Sequence, residues 1–257
     1  MSTDEHSHQW YNQNAAAYTR HVRDPDDSIY HSLYEKPAMY ALLPDLKGKS
    51  VISLGCGSGE DCNYLHKQGA GHVTGIDLSE SMIEIAKESY PDYDFRIMDM
   101  EHLEFPDKSF DFAYSSLAVH YIEDWHRLMS EVYRVLKPKS YFLLSANHPV
   151  AYASDIVIND DKTRKKELSR TLDKTTGSVT IVGDYLSRAA LPGDTNLDVT
   201  TWRKSISEIA TEATDEGFLI AGITEPKPLP KMNELQPQAY KKLTKIPEFV
   251  IFKLLKP

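Results

Sequence analysis

Val51–Glu60 reads VISLGCGSGE, and how that decapeptide is read decides the fold. A short apolar run ends in glycines at alternate positions, Gly55, Gly57 and Gly59. Glycine there lets the chain turn sharply and leaves bare backbone on which a ligand can rest. A helix predicted over Glu60–Lys67 follows directly, so its first amides point back toward the turn and toward any polar group held there. The spacing is G-x-G-x-G, not the G-x-G-x-x-G of dinucleotide enzymes. Taken alone, the same turn also serves as a plain strand-to-helix corner with no ligand.

Working outward, strand and helix patterns alternate. Strands are expected at Ser50–Leu54, His72–Ile76, Tyr93–Met98, Phe110–Ser115 and Tyr141–Ser145, and helices at Glu60–Lys67, Ser81–Ser89 and Trp125–Val135. Ser81 and Glu84 form a capping-box pattern, with Met82, Ile85 and Ala86 on the inward face. Pro138 is expected to stop the third helix. Strands alternating with helices at this spacing mean parallel βαβ units, a doubly wound α/β sheet with helices on both faces.

Before the glycine turn, residues 1–9 read as disordered, Trp10–Arg23 as a helix with aromatic and alanine residues at helical spacing, and Tyr30–Leu43 as a second helix in which Pro37 lies inside or begins a new helix. After Pro149 the alternation fails. Residues 150–203 are polar and irregular, with one strand expected at Ser178–Val182 and a turn at Pro192-Gly193-Asp194. A segment of that length inside a compact fold is usually a lid over a site. Regularity returns with a helix at Ile206–Glu216 stopped by Gly217, strands at Phe218–Thr224 and Glu248–Leu255, and a proline-rich connector, Pro226–Pro237, between them. The organisation is therefore an N-terminal helical cap (1–43), a core (44–149), an insertion (150–203) and a C-terminal completion of the sheet (204–257).

Composition narrows the function. The formal net charge of −9 over 257 residues opposes general nucleic-acid binding, which needs surplus Lys and Arg. The two cysteines, Cys56 and Cys62, make neither a disulfide framework nor, without neighbouring histidines, a zinc site. The N-terminus, MSTDEHSHQW, lacks a basic region followed by an apolar one, and no apolar run is long enough to span a bilayer, so a cytoplasmic protein is expected.

Two carboxylates stand where ligands bind in such folds. Asp77 ends the second strand, 22 residues after Gly55, where it can accept both hydroxyls of a ribose; it could otherwise cap the next helix, although Ser79 or Ser81 would serve equally well. Asp99, in Met98-Asp99-Met100, can accept from an adenine amino group while Met100 offers an apolar face; by itself Asp99 is also an ordinary turn residue.

Together these positions resemble the class I S-adenosylmethionine-dependent methyltransferases, and within them the small-molecule enzymes of the ubiquinone/menaquinone-biosynthesis type. The resemblance is carried by LGCGSG, GIDLSESMIEIAK, MDMEHLEFPDKSFDFAYSSLAVHYIEDW and EVYRVLKPKSYFLLS, and it covers Trp10–Pro149 well and the C-terminal quarter loosely. It implies a Rossmann-like, mostly parallel seven-stranded sheet with an antiparallel last strand. S-adenosylmethionine would be the cofactor and S-adenosylhomocysteine its product. It also implies that Gly55, Cys56, Gly57 and Gly59 line the methionine end of the cofactor. Asp77 would bind the ribose with Leu78 and Met82 beside it, Asp99 and Met100 the adenine, and Ser115, Ser116 and Leu117 would flank the methyl donor. Tyr11 and Tyr18 in the first helix would hydrogen-bond the cofactor carboxylate, with Arg20 pairing to it; Trp10 and Tyr11 read also as core aromatics of a docking helix. One departure stands out. The family's acidic residue two before the first glycine is Ser53 here, which weakens the hold on the amino-acid end.

Methyl transfer needs an acceptor held in line in a dry site, and a general base only if the acceptor must lose a proton. His120 and His148 fall on the carboxyl edge and are the candidates for that base, each with the alternative of a packed ring or a turn residue. In the insertion, Tyr152, Tyr185, Arg188 and Trp202 are candidates for acceptor specificity. Strand four ends in SSLA, not in the Asn-Pro-Pro-Tyr of amino-directed nucleic-acid methyltransferases. The leading expectation is a small-molecule methyltransferase, monomeric or homodimeric. An RNA methyltransferase and a non-catalytic S-adenosylmethionine sensor are the alternatives, and a nicotinamide dehydrogenase is disfavoured by the glycine spacing.

Overall fold

The structure, a computed structural model, describes residues 3–158, 164–192 and 197–257. The chain starts with α1 (Glu5–Arg23), which Asp4 caps by accepting from the Ser7 amide at 3.0 Å and its hydroxyl at 2.6 Å. Ser7 is fully buried, so the disorder expected over residues 1–9 is corrected from Thr3 onward. A π-helical turn, His31–Glu35, then runs into α2 (Lys36–Ala41) with Pro37 in its first turn. The wide turn bonds the Lys36 amide back to the His31 carbonyl and lets a residue without an N–H follow.

The core alternates β1 (Ser50–Leu54), α3 (Glu60–Lys67), β2 (His72–Asp77), α4 (Glu80–Ser89), β3 (Asp94–Ile97), β4 (Phe110–Ser115), a 3₁₀ turn at Val119–Tyr121, α5 (His126–Val135) and β5 (Leu136–Asn147). After the insertion come α7 (Ile206–Asp215), β12 (Leu219–Thr224), α8 (Lys231–Leu235), α9 (Pro237–Leu243) and β13 (Phe249–Leu255). The seven-stranded sheet runs β12-β13-β5-β4-β1-β2-β3. Its pairs are parallel except that β13 is antiparallel to both neighbours. That is the Rossmann-like doubly wound sheet expected. The alternation of strand side chains splits the core in two. Val51 packs with Leu65, Val73 and Ile83 on one face, and Ile52 and Leu54 with Leu128, Val132 and Ile209 on the other.

Three local expectations are corrected. The cap of α4 is Ser79, whose hydroxyl accepts from the Met82 amide at 3.2 Å, rather than Ser81. Pro138 does not stop α5, which ends at Val135 when Leu136 turns extended. Pro138 instead sits in an irregular start to β5, where Lys139 takes φ +63° and the register jumps from Phe110↔Leu136 to Phe112↔Tyr141. The connector after β12 is partly helical, and Met232 and Leu243 from α8 and α9 pack on Ile29, Leu33 and Tyr34.

The insertion is also more regular than its composition suggests. It holds α6 (Pro149–Tyr152) and three antiparallel two-stranded ladders: β6 (Asp155–Ile158) with β7 (Arg164–Glu167), β8 (Ser169–Leu172) with β9 (Val179–Val182), and β10 (Ala189–Pro192) with β11 (Thr200–Arg203). Gly193 and Asp194 of the expected turn lie outside the described residues. No helix among the described residues is long and apolar enough to cross a membrane.

Candidate active site

At the carboxyl edge of the sheet β1 lies between β2 and β4, and the loops after the three strands surround a cavity of about 910 Å³ counting its open mouth. Ligands bind at this kind of crevice in open α/β sheets. Gly55 takes φ +64°, and a Cβ there would stand 2.3 Å from the Ala118 side chain, so only glycine lets the two loops close together. Gly57 takes φ +52°, and a Cβ on it would meet nothing within 4 Å. It therefore offers backbone to the cavity, a cradle that any side chain would fill.

Asp77 holds this loop. Its Oδ2 accepts from the Gly57 amide at 2.8 Å and its Oδ1 from the Ser79 amide at 2.9 Å. Burial pushes its pKa up, against the pull of those amide bonds. Each oxygen keeps a lone pair, so the carboxylate can accept further hydroxyl donors from the cavity that it lines. Leu78, Met82 and Met100 supply apolar wall. Cys56 lines the cavity as a buried thiol, with burial pushing its pKa well up. It is a free thiol, as is Cys62.

Further lining comes from the N-terminal segment and from the 3₁₀ turn. Tyr11, Tyr18 and Tyr121 make a run of edge-to-face rings, with Tyr11 centred 5.4 Å from Tyr18 and 5.6 Å from Tyr121 and its hydroxyl 2.5 Å from that of Tyr121. Asn12 seats α1 on α4, accepting at Oδ1 from the Ser79 hydroxyl at 2.6 Å and the Ser81 amide at 3.2 Å. Lys36 lines the cavity and donates to Asp61 Oδ1 at 2.7 Å, an oxygen that also accepts from the Tyr40 hydroxyl at 2.7 Å. Burial lowers the Lys36 pKa, but Asp61 and Glu35 outweigh it and the net shift is upward. A fixed cation and anion thus stand together at the cavity wall.

Beneath Ser116 lies a buried polar cluster. Glu35 is fully buried, and its Oε1 accepts from the Ser116 hydroxyl at 3.0 Å and the Ser145 hydroxyl at 2.5 Å. Ser145 Oγ in turn accepts from the amide of Leu117, which is held at φ +50°. Glu35 Oε2 and the Nδ1 atoms of His31 and His120 have no hydrogen-bond partner among the described residues. Burial drives the Glu35 pKa up to about 7 and those of His31 and His120 down to about 4 and about 3.

The structure brings most of the sequence candidates together and places others elsewhere. Tyr11, Tyr18, Gly55, Cys56, Gly57, Asp77, Leu78, Met82, Met100, Ser116 and Leu117 line the cavity. Gly59 does not. It is the left-handed N-cap of α3, and a Cβ there would meet Phe95 at 2.8 Å. Ser115 is buried and ties β4 to β1 through the Leu54 carbonyl at 3.0 Å. Asp99 accepts from the Glu101 amide at 3.0 Å, in the turn role, just outside the lining residues. Arg20 is exposed on α1; Arg23 instead pairs with Glu60 at 2.5 Å.

Neither candidate histidine lines the cavity. His120 is buried behind Tyr121, with ring centroids 4.6 Å apart. His148 caps α6 by accepting from the Val150 amide at 3.1 Å, and its Nε2 meets Glu225 at 3.1 Å. Among the described residues, nothing from 150–203 lines the cavity either. Arg188 is taken by Glu208 and Glu212, the Tyr185 hydroxyl accepts from the Ile206 amide at 3.4 Å, and Trp202 sits in the β10–β11 ladder. Lys36, Asp61, Tyr121, His31 and Glu35 were not singled out from sequence. Lys36 and Asp61 are 25 residues apart and meet only once the sheet forms.

Comparison with known proteins agrees with this geometry. Residues 52–144 match the methyltransferase-domain family. The crystal structure of an S-adenosylmethionine-dependent methyltransferase from Mesorhizobium loti superposes with a TM-score of 0.70 at 28% identity, over 89% of this chain and 99% of that one. The phthiotriol/phenolphthiotriol dimycocerosates methyltransferase of Mycobacterium tuberculosis is 33% identical over 140 residues, 52% of this chain and 51% of that protein. The demethylmenaquinone methyltransferase of Listeria welshimeri is 31% identical over 115 residues, 42% of this chain and 48% of that protein. The chain spans about half the length of the curated relatives it matches.

Proposed function

We propose that the chain, whose residues 52–144 match the methyltransferase-domain family, is a class I methyltransferase that transfers the methyl group of S-adenosylmethionine to a small-molecule acceptor. The observation that carries the reading is the cavity itself. Bare Gly57 backbone, the Asp77 carboxylate, Ser116, Leu117 and the tyrosine rings line it together.

The residues fit the cofactor. Asp77 has two free lone pairs for the ribose hydroxyls, and Leu78, Met82 and Met100 give the adenine an apolar slot. Lys36 and Asp61 match the carboxylate and ammonium of the methionine end, with Asp61 Oδ2 taking no hydrogen bond among the described residues. Asp61 thereby supplies the carboxylate that is absent at Ser53, which is buried in β1.

When bound, the cofactor supplies an already activated methyl group. What remains for the protein is to hold the acceptor in line and keep water out. The helix α1, clamped by Asn12, closes the cavity from above. The net charge of −9 supports a small acceptor over a nucleic acid.

Calorimetry tests the cofactor reading. S-adenosylhomocysteine should bind, and Asp77→Ala should weaken it by roughly a hundredfold or more, since two charge-assisted hydrogen bonds are lost. Unchanged affinity in the variant would remove Asp77 from the site. A screen of metabolite extract with labelled cofactor then reads acceptor methylation directly.

A further inference from the structure

We propose that Ser116 and Glu35 form a proton relay at the acceptor end of the cavity, and that the acceptor is therefore a phenolic or enolic compound that loses its hydroxyl proton on methylation. This rests on the methyl-transfer reading of the same cavity.

The geometry is that of a relay. Ser116 lines the cavity, and its Oγ donates to Glu35 Oε1 at 3.0 Å. Glu35 itself is fully buried on the π-helical turn, a local geometry frequent at functional sites. Among the described residues its only hydrogen-bond donors are two hydroxyls, and both meet the same oxygen. The neighbouring cation does not pair with it, because Lys36 Nζ goes to Asp61. A carboxyl kept purely for structure would normally be paired with a charge or satisfied at both oxygens, since a buried unpaired group is costly. Glu35 Oε2 instead has no hydrogen-bond partner among the described residues.

The groups packed around it set its proton affinity. Burial and Asp61 on α3 raise it, whereas Lys36, Ser145 and Ser116 lower it, and the balance is about 7. Tyr40 on α2 and Tyr114 on β4 face the same cluster as neutral phenols; burial raises the pKa of both. His31 on the same turn and His120 from the 3₁₀ turn are held neutral by burial, so neither takes the proton at neutral pH.

The step balances. The acceptor oxygen forms the new bond to the methyl carbon, and the sulfur keeps the electron pair of the bond that breaks. The acceptor's proton passes to Ser116 Oγ as the Ser116 proton passes to Glu35 Oε1. The products are the methyl ether, neutral S-adenosylhomocysteine and protonated Glu35. A base near 7 matches a phenol near 10 far better than an aliphatic alcohol. The wall of Tyr11, Tyr18 and Tyr121 suits an aromatic acceptor as well.

The test uses the full chain with S-adenosylmethionine, catechol as the hydroxyl probe and thiophenol as a probe already ionised at neutral pH. Wild-type turnover of catechol should rise with pH through about 7, the range in which Glu35 loses its proton. Glu35→Gln and Ser116→Ala should lower it by roughly 10²-fold or more and flatten that rise, while thiophenol turnover falls far less. Glu35→Asp should restore part of the pH limb. Equal losses on the two probes, no loss on either, or a wild type that methylates no hydroxyl probe would overturn the relay. A readout independent of turnover is the infrared carbonyl band of protonated Glu35 in the S-adenosylhomocysteine complex. It should titrate near neutral pH, shift in Ser116→Ala and vanish in Glu35→Gln; a band unmoved by Ser116→Ala also overturns the proposal. Binding of S-adenosylhomocysteine by all variants keeps this separate from the cofactor reading, which would fail only if wild type did not bind it.

Discussion

Two segments lie outside the central sheet, the N-terminal helices and the insertion after β5, and they meet the cavity in opposite ways. The N-terminal segment contributes Tyr11, Tyr18, His31 and Lys36 to the cavity wall and is clamped to α4 by Asn12. The insertion contributes no lining residue among those described; Arg188 ties it to α7, and the Thr200 amide donates to Ser7 Oγ of α1 at 2.8 Å. Arg203 donates to the carbonyls of Tyr152 at 3.0 Å and Ser187 at 3.2 Å, and Lys204 is buried against Glu212 at 2.6 Å. Its β11 strand reaches the 3₁₀ turn that carries Tyr121, so it braces the cavity from behind. What closes a cavity here is the segment whose polar groups are satisfied at the carboxyl edge, and position in the chain does not reveal which segment that is.

Breaking the insertion's root should produce the largest effect. Glu212→Ala leaves the Lys204 ammonium, 1% exposed, without its partner, and removes one of the two carboxylates on Arg188. Breaking a buried pair on one side costs about 3–5 kcal/mol. A clear loss of thermal stability is expected, with S-adenosylhomocysteine affinity unchanged because none of these groups faces the cavity. A loss of affinity comparable to the loss of stability would show that the insertion and the cavity are one cooperative unit, and the contrast drawn above would fail.

That contrast also explains what was legible in the sequence. β1, α3 and β4 start and end where their patterns predict; β1 and α3 are short runs bounded by glycine, and β4 is a short aromatic run. Gly55, Gly57 and Asp77 were legible for the same reason: motif and strand end lie together in sequence. The Lys36–Asp61 pair and the Ser116–Glu35 contact were not, since they join positions 25 and 81 residues apart through the tertiary fold alone. The two histidines were read at the carboxyl edge, where helices are also capped. His148 caps α6 there, and His120 is buried behind the wall and not in it. Within the insertion, β9 was read in advance as Ser178–Val182, but its partner β8 was not, because an exposed two-stranded ribbon leaves little apolar alternation to read.

Loosening the N-terminal clamp should have an intermediate effect. Asn12→Ala removes the bonds from the Ser79 hydroxyl and Ser81 amide and the 2.6 Å contact to Glu80. The group is partly exposed, so a loss of about 1–2 kcal/mol in the docking of α1 is expected. Because α1 carries Tyr11 and Tyr18, S-adenosylhomocysteine affinity measured by calorimetry should fall by roughly tenfold, and amide exchange in α1 should quicken. Full affinity with faster exchange would mean that the helix shields the cavity without helping to hold the ligand.

The smallest effect is expected at the outer ribbon of the insertion. Leu172, Val179 and Ile181 on β8 and β9 are 57%, 44% and 70% exposed, so the ladder buries little of its own apolar surface. Ile181→Lys should change stability by no more than about 0.5 kcal/mol, as exposed substitutions generally do. It should leave S-adenosylhomocysteine affinity untouched, because the ribbon has no residue at the cavity. The informative readout is methylation of extract acceptors with labelled cofactor. If stability and cofactor affinity hold while acceptor methylation drops, the ribbon meets the acceptor on its way in, and the insertion's part in the reaction is at the entrance. If all three hold, the insertion acts only as the brace behind Tyr121, and acceptor choice rests with the N-terminal wall and with Ser116.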